Sequence, residues 1–327
     1  MPVITPAAQA ARWSSLRLRQ TPHLRDLCAE TSFTTAHLVQ PIFIVEGLRT
    51  SEAIPGLDGN FRLSMDGALD VIADDVAAGV RHFLLFAVPT SPAPYGAFAA
   101  RAVDAIKRRF GQQVCLWVDI CLCSTTEDGH CAISGDDHQI DLDATLSALA
   151  DMTLRVADAG ADGASPSDMM DGRTARLRAE LDGRGHGAVP IMSYSTKFAS
   201  RFYGPFRTAA GSAPKRGTRQ HYQIDVRSRT DAIGSSVRCA NEGADLLMVK
   251  PGMTSIDLIA PIREATGKLV GAYQVSGEFA GLCALGRDGL ADFDAALLET
   301  WQVFRRAGAA YVITYGARKA RAMGVPA

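Results

Sequence analysis

The chain has 327 residues, 47% of them hydrophobic and 21% charged, and its 34 basic and 35 acidic side chains leave a net charge of −1. Such a balance supports one large hydrophobic core or two moderate ones, and it excludes the basic footprint of a nucleic-acid binder and the polar bias of a disordered chain. No apolar run reaches the ~18 residues of a membrane helix, and Met1-Pro2-Val3-Ile4-Thr5-Pro6 is no basic head before an apolar stretch. No membrane association is therefore expected, and the cytoplasm is the expected compartment.

The first 35 residues are Arg-rich and stand outside the pattern that follows, which predicts an N-terminal arm over 1–35 that packs on a neighbouring subunit. From residue 36 onward, short runs rich in Val, Ile and Leu recur at 37–45, 82–88, 114–120, 163–167, 190–195, 245–250, 269–276 and 310–315. Stretches with helical spacing separate them, among them 64–79, 141–160, 229–243, 255–266 and 291–308, and several close on Gly, the usual residue after a helix end. Strands that read as continuous apolar runs and alternate with helices imply a parallel sheet covered on both faces. Eight such units predict an α/β fold, a (β/α)₈ TIM barrel over 36–327. An open doubly wound sheet would use the same units, but no Gly-x-Gly-x-x-Gly follows an early strand.

In such a barrel the chemistry belongs at the C-terminal ends of the strands, and the unusual residues fall there. The third strand ends at Asp119 and runs into Cys121-Leu122-Cys123-Ser124-Thr125-Thr126-Glu127-Asp128-Gly129-His130-Cys131. The fourth leads into Ser165-Pro166-Ser167-Asp168-Met169-Met170-Asp171-Gly172-Arg173, and the fifth into Lys197 and then Tyr203-Gly204-Pro205-Phe206-Arg207. Lys250 ends the sixth, Tyr273 to Ser276 the seventh and Tyr315 the eighth.

Only six lysines stand against 28 arginines, yet two of the six, Lys197 and Lys250, end apolar runs. Arginine cannot replace an amine that must lose its proton and attack a carbonyl, so the pair points to two Schiff bases and two carbonyl substrates. The bland alternative is a strand-end lysine that reaches solvent.

Seven cysteines, an odd number without secretory context, argue against a disulfide framework. Cys28, Cys115, Cys239 and Cys283 read as small core residues. Cys121, Cys123 and Cys131 crowd into one Gly-containing loop beside His130, where thiolates favour Zn²⁺. Three protein ligands would leave a fourth position open, as a catalytic ion needs. Idle reduced thiols are the alternative.

The strings 119–131, 166–173, 192–207, 248–251, 275–278 and 313–315 together resemble the porphobilinogen synthase (5-aminolevulinate dehydratase) family, in order and over nearly the whole chain. Pro-Ser-Asp-Met-Met-Asp-Gly-Arg and Ser-x-Lys-Phe-Ala-Ser-x-Phe-Tyr-Gly-Pro-Phe-Arg are the most specific of them. The resemblance implies a barrel with an N-terminal arm, assembled as a homo-octamer. It also implies a hydro-lyase that condenses two 5-aminolevulinate molecules into porphobilinogen, with loss of two waters, in haem and other tetrapyrrole synthesis.

On the matching positions, Lys250 would bind the first substrate and Lys197 the second. Asp119, Ser167 and Asp168 would lie near the second substrate's amine, and Zn²⁺ would sit on Cys121, Cys123 and Cys131. Arg207, Arg219 and Gln223 would hold the second carboxylate, and Ser276 and Tyr315 the first. Tyr203, Phe206 and Tyr273 would line the lysine pocket. Arg173 reads as a helix or interface residue.

Departures from the family pattern are a short loop, 88–96, where subunit contacts and a regulatory Mg²⁺ are at issue, Ser124 and the acids Glu127 and Asp128 in the cysteine loop, Thr218 in the segment 214–219, and Gly316 after Tyr315. They leave room for a divergent paralog acting on another amino-ketone. A class I aldolase needs one lysine and no thiolate metal, and a paralog kept for assembly or metal binding needs neither lysine.

Overall fold

The computed structural model describes residues 17–91, 94–135 and 139–327, and the chain divides into two compact units, Met1–Ser32 and Phe33–Ala327. Residues 1–16, nearly half of the sequence expected to form the arm, lie outside the described set, as do Pro92 and Ala93 of the short loop. In the first unit a short helix, Pro22–Leu27, is capped by the Thr21 side chain and buries no residue. Cys28 at its end is exposed, so it is not the core residue its neighbours suggested.

The second unit contains eight parallel strands: β1 (Leu38–Val45), β2 (His82–Val88), β3 (Cys115–Ile120), β4 (Gly163–Pro166), β5 (Met192–Lys197), β6 (Leu246–Lys250), β7 (Leu269–Tyr273) and β8 (Val312–Ile313). Their hydrogen-bonded order is β4-β3-β2-β1-β8-β7-β6-β5. A parallel bridge between Ala164 and Ile191 joins the two end strands and closes the ring. The fold is the expected TIM barrel. A two-strand hairpin, Glu52–Ala53 with Phe61–Leu63, is added beside β1.

The helices are α1 (Met65–Ala77), α2 (Ala97–Phe110), α3 (Leu142–Asp158), α4 (Arg173–Gly183), α5 (Gly204–Ala209), α6 (Arg229–Asn241), α7 (Ile259–Thr266), α8 (Ser276–Arg287) and α9 (Phe293–Arg306). Side-chain caps start several of them: Ser64 on α1, Asp141 on α3 and Asp292 on α9 each accept a backbone N–H of the first turn. Where α3 and α9 end, Gly160 and Gly308 take φ of +93° and +98°, a left-handed turn that a side chain would strain.

All eight residues of β1 are buried, yet they serve two cores. Ile42 and Ile44, with Phe83 and Leu85 of β2 and Leu116 and Val118 of β3, pack on Ile72, Val103 and Leu149 of α1, α2 and α3. Their alternates Phe43, Leu84, Phe86 and Trp117 join Met192, Tyr194, Met248 and Tyr273 from across the ring. The two-residue period of a strand thus feeds an outer core and the barrel interior at once, which explains the absence of polar alternation in the sequence. The last strands are shorter than their apolar runs, because the chain beyond Tyr273 and Ile313 turns out of the ladder to carry polar residues over the barrel mouth.

Candidate functional site

Lys197 and Lys250 end β5 and β6, and their Cα atoms are paired in register, so the two amines leave adjacent strands side by side. Both side chains are buried, at 5% and 4% exposure. The register of β5 shifts between Ser193 and Thr196, and this bulge has a chemical consequence. Ser195 and Thr196 both face outward to the Ser236 hydroxyl of α6, while Tyr194 and Lys197, three residues apart, both face the interior. A regular strand would put those two on opposite faces.

Four aromatic rings surround the Lys250 amine, with centroids 4.1 Å (Tyr273), 4.7 Å (Tyr194), 5.0 Å (Phe206) and 5.4 Å (Tyr203) from Nζ. The Lys197 amine stands 5.7 Å from the Tyr194 ring and donates to the Ser167 carbonyl. Burial, and then the neighbouring Lys197 ammonium, lower the Lys250 pKa to about 7, against the pull of Asp119. An amine so placed is about half free at neutral pH, the state a nucleophile requires.

Asp168, just beyond β4, is fully buried, and Asp119, near the end of β3, is half-buried with its carboxyl Oδ1 shielded from solvent. Burial raises each to about 6, although Lys197 and Lys250 oppose the shift at Asp119 and Arg173 opposes it at Asp168. Asp168 Oδ1 accepts the Met170 N–H at 2.7 Å, in a turn where Met169 takes φ +75°. Arg173 starts α4, within the helix expected of it, and is 1% exposed, its side chain turned into the interior. Its guanidinium donates to the carbonyls of Met170 and Tyr194, and its Nε lies 3.7 Å from Asp168 Oδ2. It locks the Asp168 turn to β5.

The three loop cysteines are buried, and their sulfurs lie within 4.8 Å of one another. Hydrogen bonds from Cys121 and Cys123 hold the Cys131 thiol well below its usual range, whereas Cys121, which donates to the other two, is pushed well above it. Protons thus hold together three sulfurs that a soft divalent cation would hold better, and the donor set fits a metal ion. His130 stands outside the trio. Its Nε2–H donates to the Arg216 carbonyl at 2.9 Å and Nδ1 accepts from the Tyr222 hydroxyl at 3.2 Å, a tautomer assigned from these partners. Asp128 accepts the His130 N–H, which ties that acid into the loop itself.

The remaining site residues converge on the same mouth. Arg219 and Gln223 are buried, and neither the Arg219 Nε nor either amide atom of Gln223 has a protein partner. Arg207, on α5, is half-buried, its guanidinium 6.0 Å from the Tyr203 ring and its Nε also without a partner. Ser276 starts α8 and its hydroxyl accepts the Phe206 N–H at 3.1 Å. Tyr315 lies 3.4 Å from Tyr273, oxygen to oxygen. Gly316 follows where bulk was expected: a Cβ there would lie 2.6 Å from Leu297 Cδ2 and 3.1 Å from the Phe279 ring.

A (β/α)₈ barrel that gathers at its C-terminal mouth two buried lysines, two carboxyls and three thiols able to hold a metal has the parts of an enzyme active site. The profile of the Delta-aminolevulinic acid dehydratase family matches residues 13–323. The chain belongs to that family, and membership makes it a hydro-lyase. Delta-aminolevulinic acid dehydratase of Helicobacter pylori is 36% identical over 313 residues, 93% of this chain and 96% of the relative. That of Bacillus subtilis is 36% identical over 312 residues, 93% of this chain and 95% of the relative. The solved structure of delta-aminolevulinic acid dehydratase (porphobilinogen synthase) from Toxoplasma gondii, in complex with the reaction product porphobilinogen, superposes with a TM-score of 0.90 at 35% identity, covering 96% of this chain and 91% of that one.

Proposed function

We propose that this chain condenses two molecules of 5-aminolevulinate into porphobilinogen, with loss of two waters, in tetrapyrrole synthesis. One observation carries the reading beyond membership: two buried lysines in register on neighbouring strands, one with its pKa lowered to about 7. Two amines side by side can hold two ketones as Schiff bases at reacting distance, which replaces a bimolecular encounter with an intramolecular one.

In this reading Lys250 adds to the ketone of the first substrate and Lys197 to that of the second. Ser276 and Tyr315 hold the first carboxylate. Arg207, Arg219 and Gln223 hold the second, for which a guanidinium fork suits better than an ammonium. Asp119, Ser167 and Asp168 orient the second substrate's amine and accept protons from it. Tyr203, Phe206 and Tyr273 exclude water and keep Lys250 unprotonated. Zn²⁺ on Cys121, Cys123 and Cys131 would supply a Lewis acid beside the second substrate.

The same reading assigns residues 1–35 to subunit contacts in a homo-octamer, with 36–327 as the catalytic barrel. Among the described residues no helix is long and apolar enough to cross a membrane, and three thiols kept for a metal suit the reducing cytoplasm, where we place the protein. The test is pyrrole formation from 5-aminolevulinate by the purified protein and by Lys250→Ala. The parent is expected to turn over and the variant to be inactive while still folded. Turnover by the variant at the parent's rate would overturn the assignment.

A further inference from the structure

Tyr194 has no place in the roles above, yet it occupies the centre of the site. Its ring lies under both amines, 4.7 Å from the Lys250 Nζ and 5.7 Å from the Lys197 Nζ. The residue is 0% exposed and its hydroxyl meets no protein partner at full hydrogen-bond distance and angle, the Asp119 carboxyl being the acidic side chain beside it. Asp119 Oδ1, buried nearby, is likewise without one. A buried hydroxyl without a partner destabilises a fold, and phenylalanine would fill the same space without that penalty. Packing therefore does not account for the hydroxyl, and alternation from Met192 places the Tyr194 ring on the inner face of β5.

We propose that Tyr194 is a catalytic residue whose hydroxyl donates a hydrogen bond to the ketone oxygen of the substrate carbon attacked by Lys250. The inference rests on the Schiff-base reading. The free amine of Lys250 forms the C–N bond, and the carbonyl π pair moves onto oxygen, where the negative charge develops that a fixed donor stabilises. Both amine protons then pass to that oxygen, which leaves as water with cleavage of the C–O bond and formation of the imine. Tyr194 keeps its own proton throughout. Burial, reinforced by the Asp119 carboxylate, pushes its pKa well above the usual phenol value, as a donor that does not ionise requires.

The experiment is Tyr194→Phe, read three ways: turnover of 5-aminolevulinate, thermal midpoint, and borohydride trapping of the substrate on Lys250 and on Lys197 by peptide mass. The expected result is a kcat at least tenfold lower and trapping at Lys250 slowed by a similar factor. Lys197 should be affected less, and the midpoint should be unchanged or higher. Activity within twofold of the parent would overturn the proposal. So would equal slowing at both lysines, or a midpoint that falls along with activity, since a packing role would explain that. A parent protein that traps nothing on Lys250 would instead overturn the Schiff-base reading, which separates the two failures.

Discussion

Arg173 shows how much a single buried charge decides. Its side chain and that of Asp168 are 1% and 0% exposed, and the two lie 3.7 Å apart at closest approach. Removing one partner of a buried pair leaves the other charge uncompensated, at a cost of about 3–5 kcal/mol. Arg173→Met is expected to lose stability of that order and to leave Asp168 protonated at neutral pH. Thermal melting would register the first effect, and near-complete loss of pyrrole formation in still-folded protein the second. Arg173→Lys should recover part of the stability and less of the activity, because an ammonium cannot reach Met170, Tyr194 and Asp168 together.

The lowered pKa of Lys250 sets a pH dependence. Below about 7 the amine holds its proton and cannot attack, so the rate of borohydride trapping at Lys250 should rise as pH rises through about 7. The sign for stability agrees: the folded value lies below the unfolded one, so the unfolded chain holds the extra proton between about 7 and 10.5, and stability increases with pH across that window. Trapping that is flat between about pH 6 and 8 would contradict the lowered value.

Between elements, the cysteine loop and the segment 212–222 are laced together. Lys215 N–H donates to the Asp128 carbonyl at 2.8 Å, Arg219 to the Gly129 carbonyl at 2.8 Å, and His130 to the Arg216 carbonyl at 2.9 Å. A Cβ on Gly129, already at φ +74°, would meet the Ala213 oxygen at 2.5 Å, so the two segments touch backbone to backbone. Withdrawing a metal from the thiols should therefore loosen the segment that carries Arg219 and Gln223. Chelation is expected to abolish activity and to speed hydrogen exchange at residues 215–219, and zinc to restore both. Unchanged exchange with lost activity would confine the metal's effect to chemistry. Glu278 does the corresponding work between β6 and β7: its buried carboxylate accepts from Met253 and Val275, each at 2.8 Å, and so ties the loop after Lys250 to the start of α8.

At the scale of the whole molecule, the arm is where assembly is to be tested. Nothing in the Pro22–Leu27 helix is buried, and Leu27 is 81% exposed, so this segment leaves apolar surface for a partner to cover. If the proposed homo-octamer forms, deleting residues 1–35 is expected to give a smaller species by sedimentation while the barrel stays folded. An unchanged sedimentation coefficient after deletion would remove the arm from assembly.

The sequence by itself determined the barrel, because eight apolar runs separated by capped helical stretches have few other ways to bury a parallel sheet. It also determined the lysine pair and the thiol trio, since neither residue type is replaceable in its chemistry and both fall at strand ends. Only the tertiary structure decided the rest. Arg173 read as a helix or interface residue, and its tie to the Tyr194 carbonyl on β5 exists only once the fourth and fifth strands stand side by side. Tyr194 was invisible because strict alternation puts it opposite Lys197, and the shift that turns both inward is a property of pairing with β6 and not of the residues themselves. A local pattern can specify which strands form and which ends carry reactive groups. The face on which each group arrives depends on backbone register, and register is set by contacts between segments far apart in the chain.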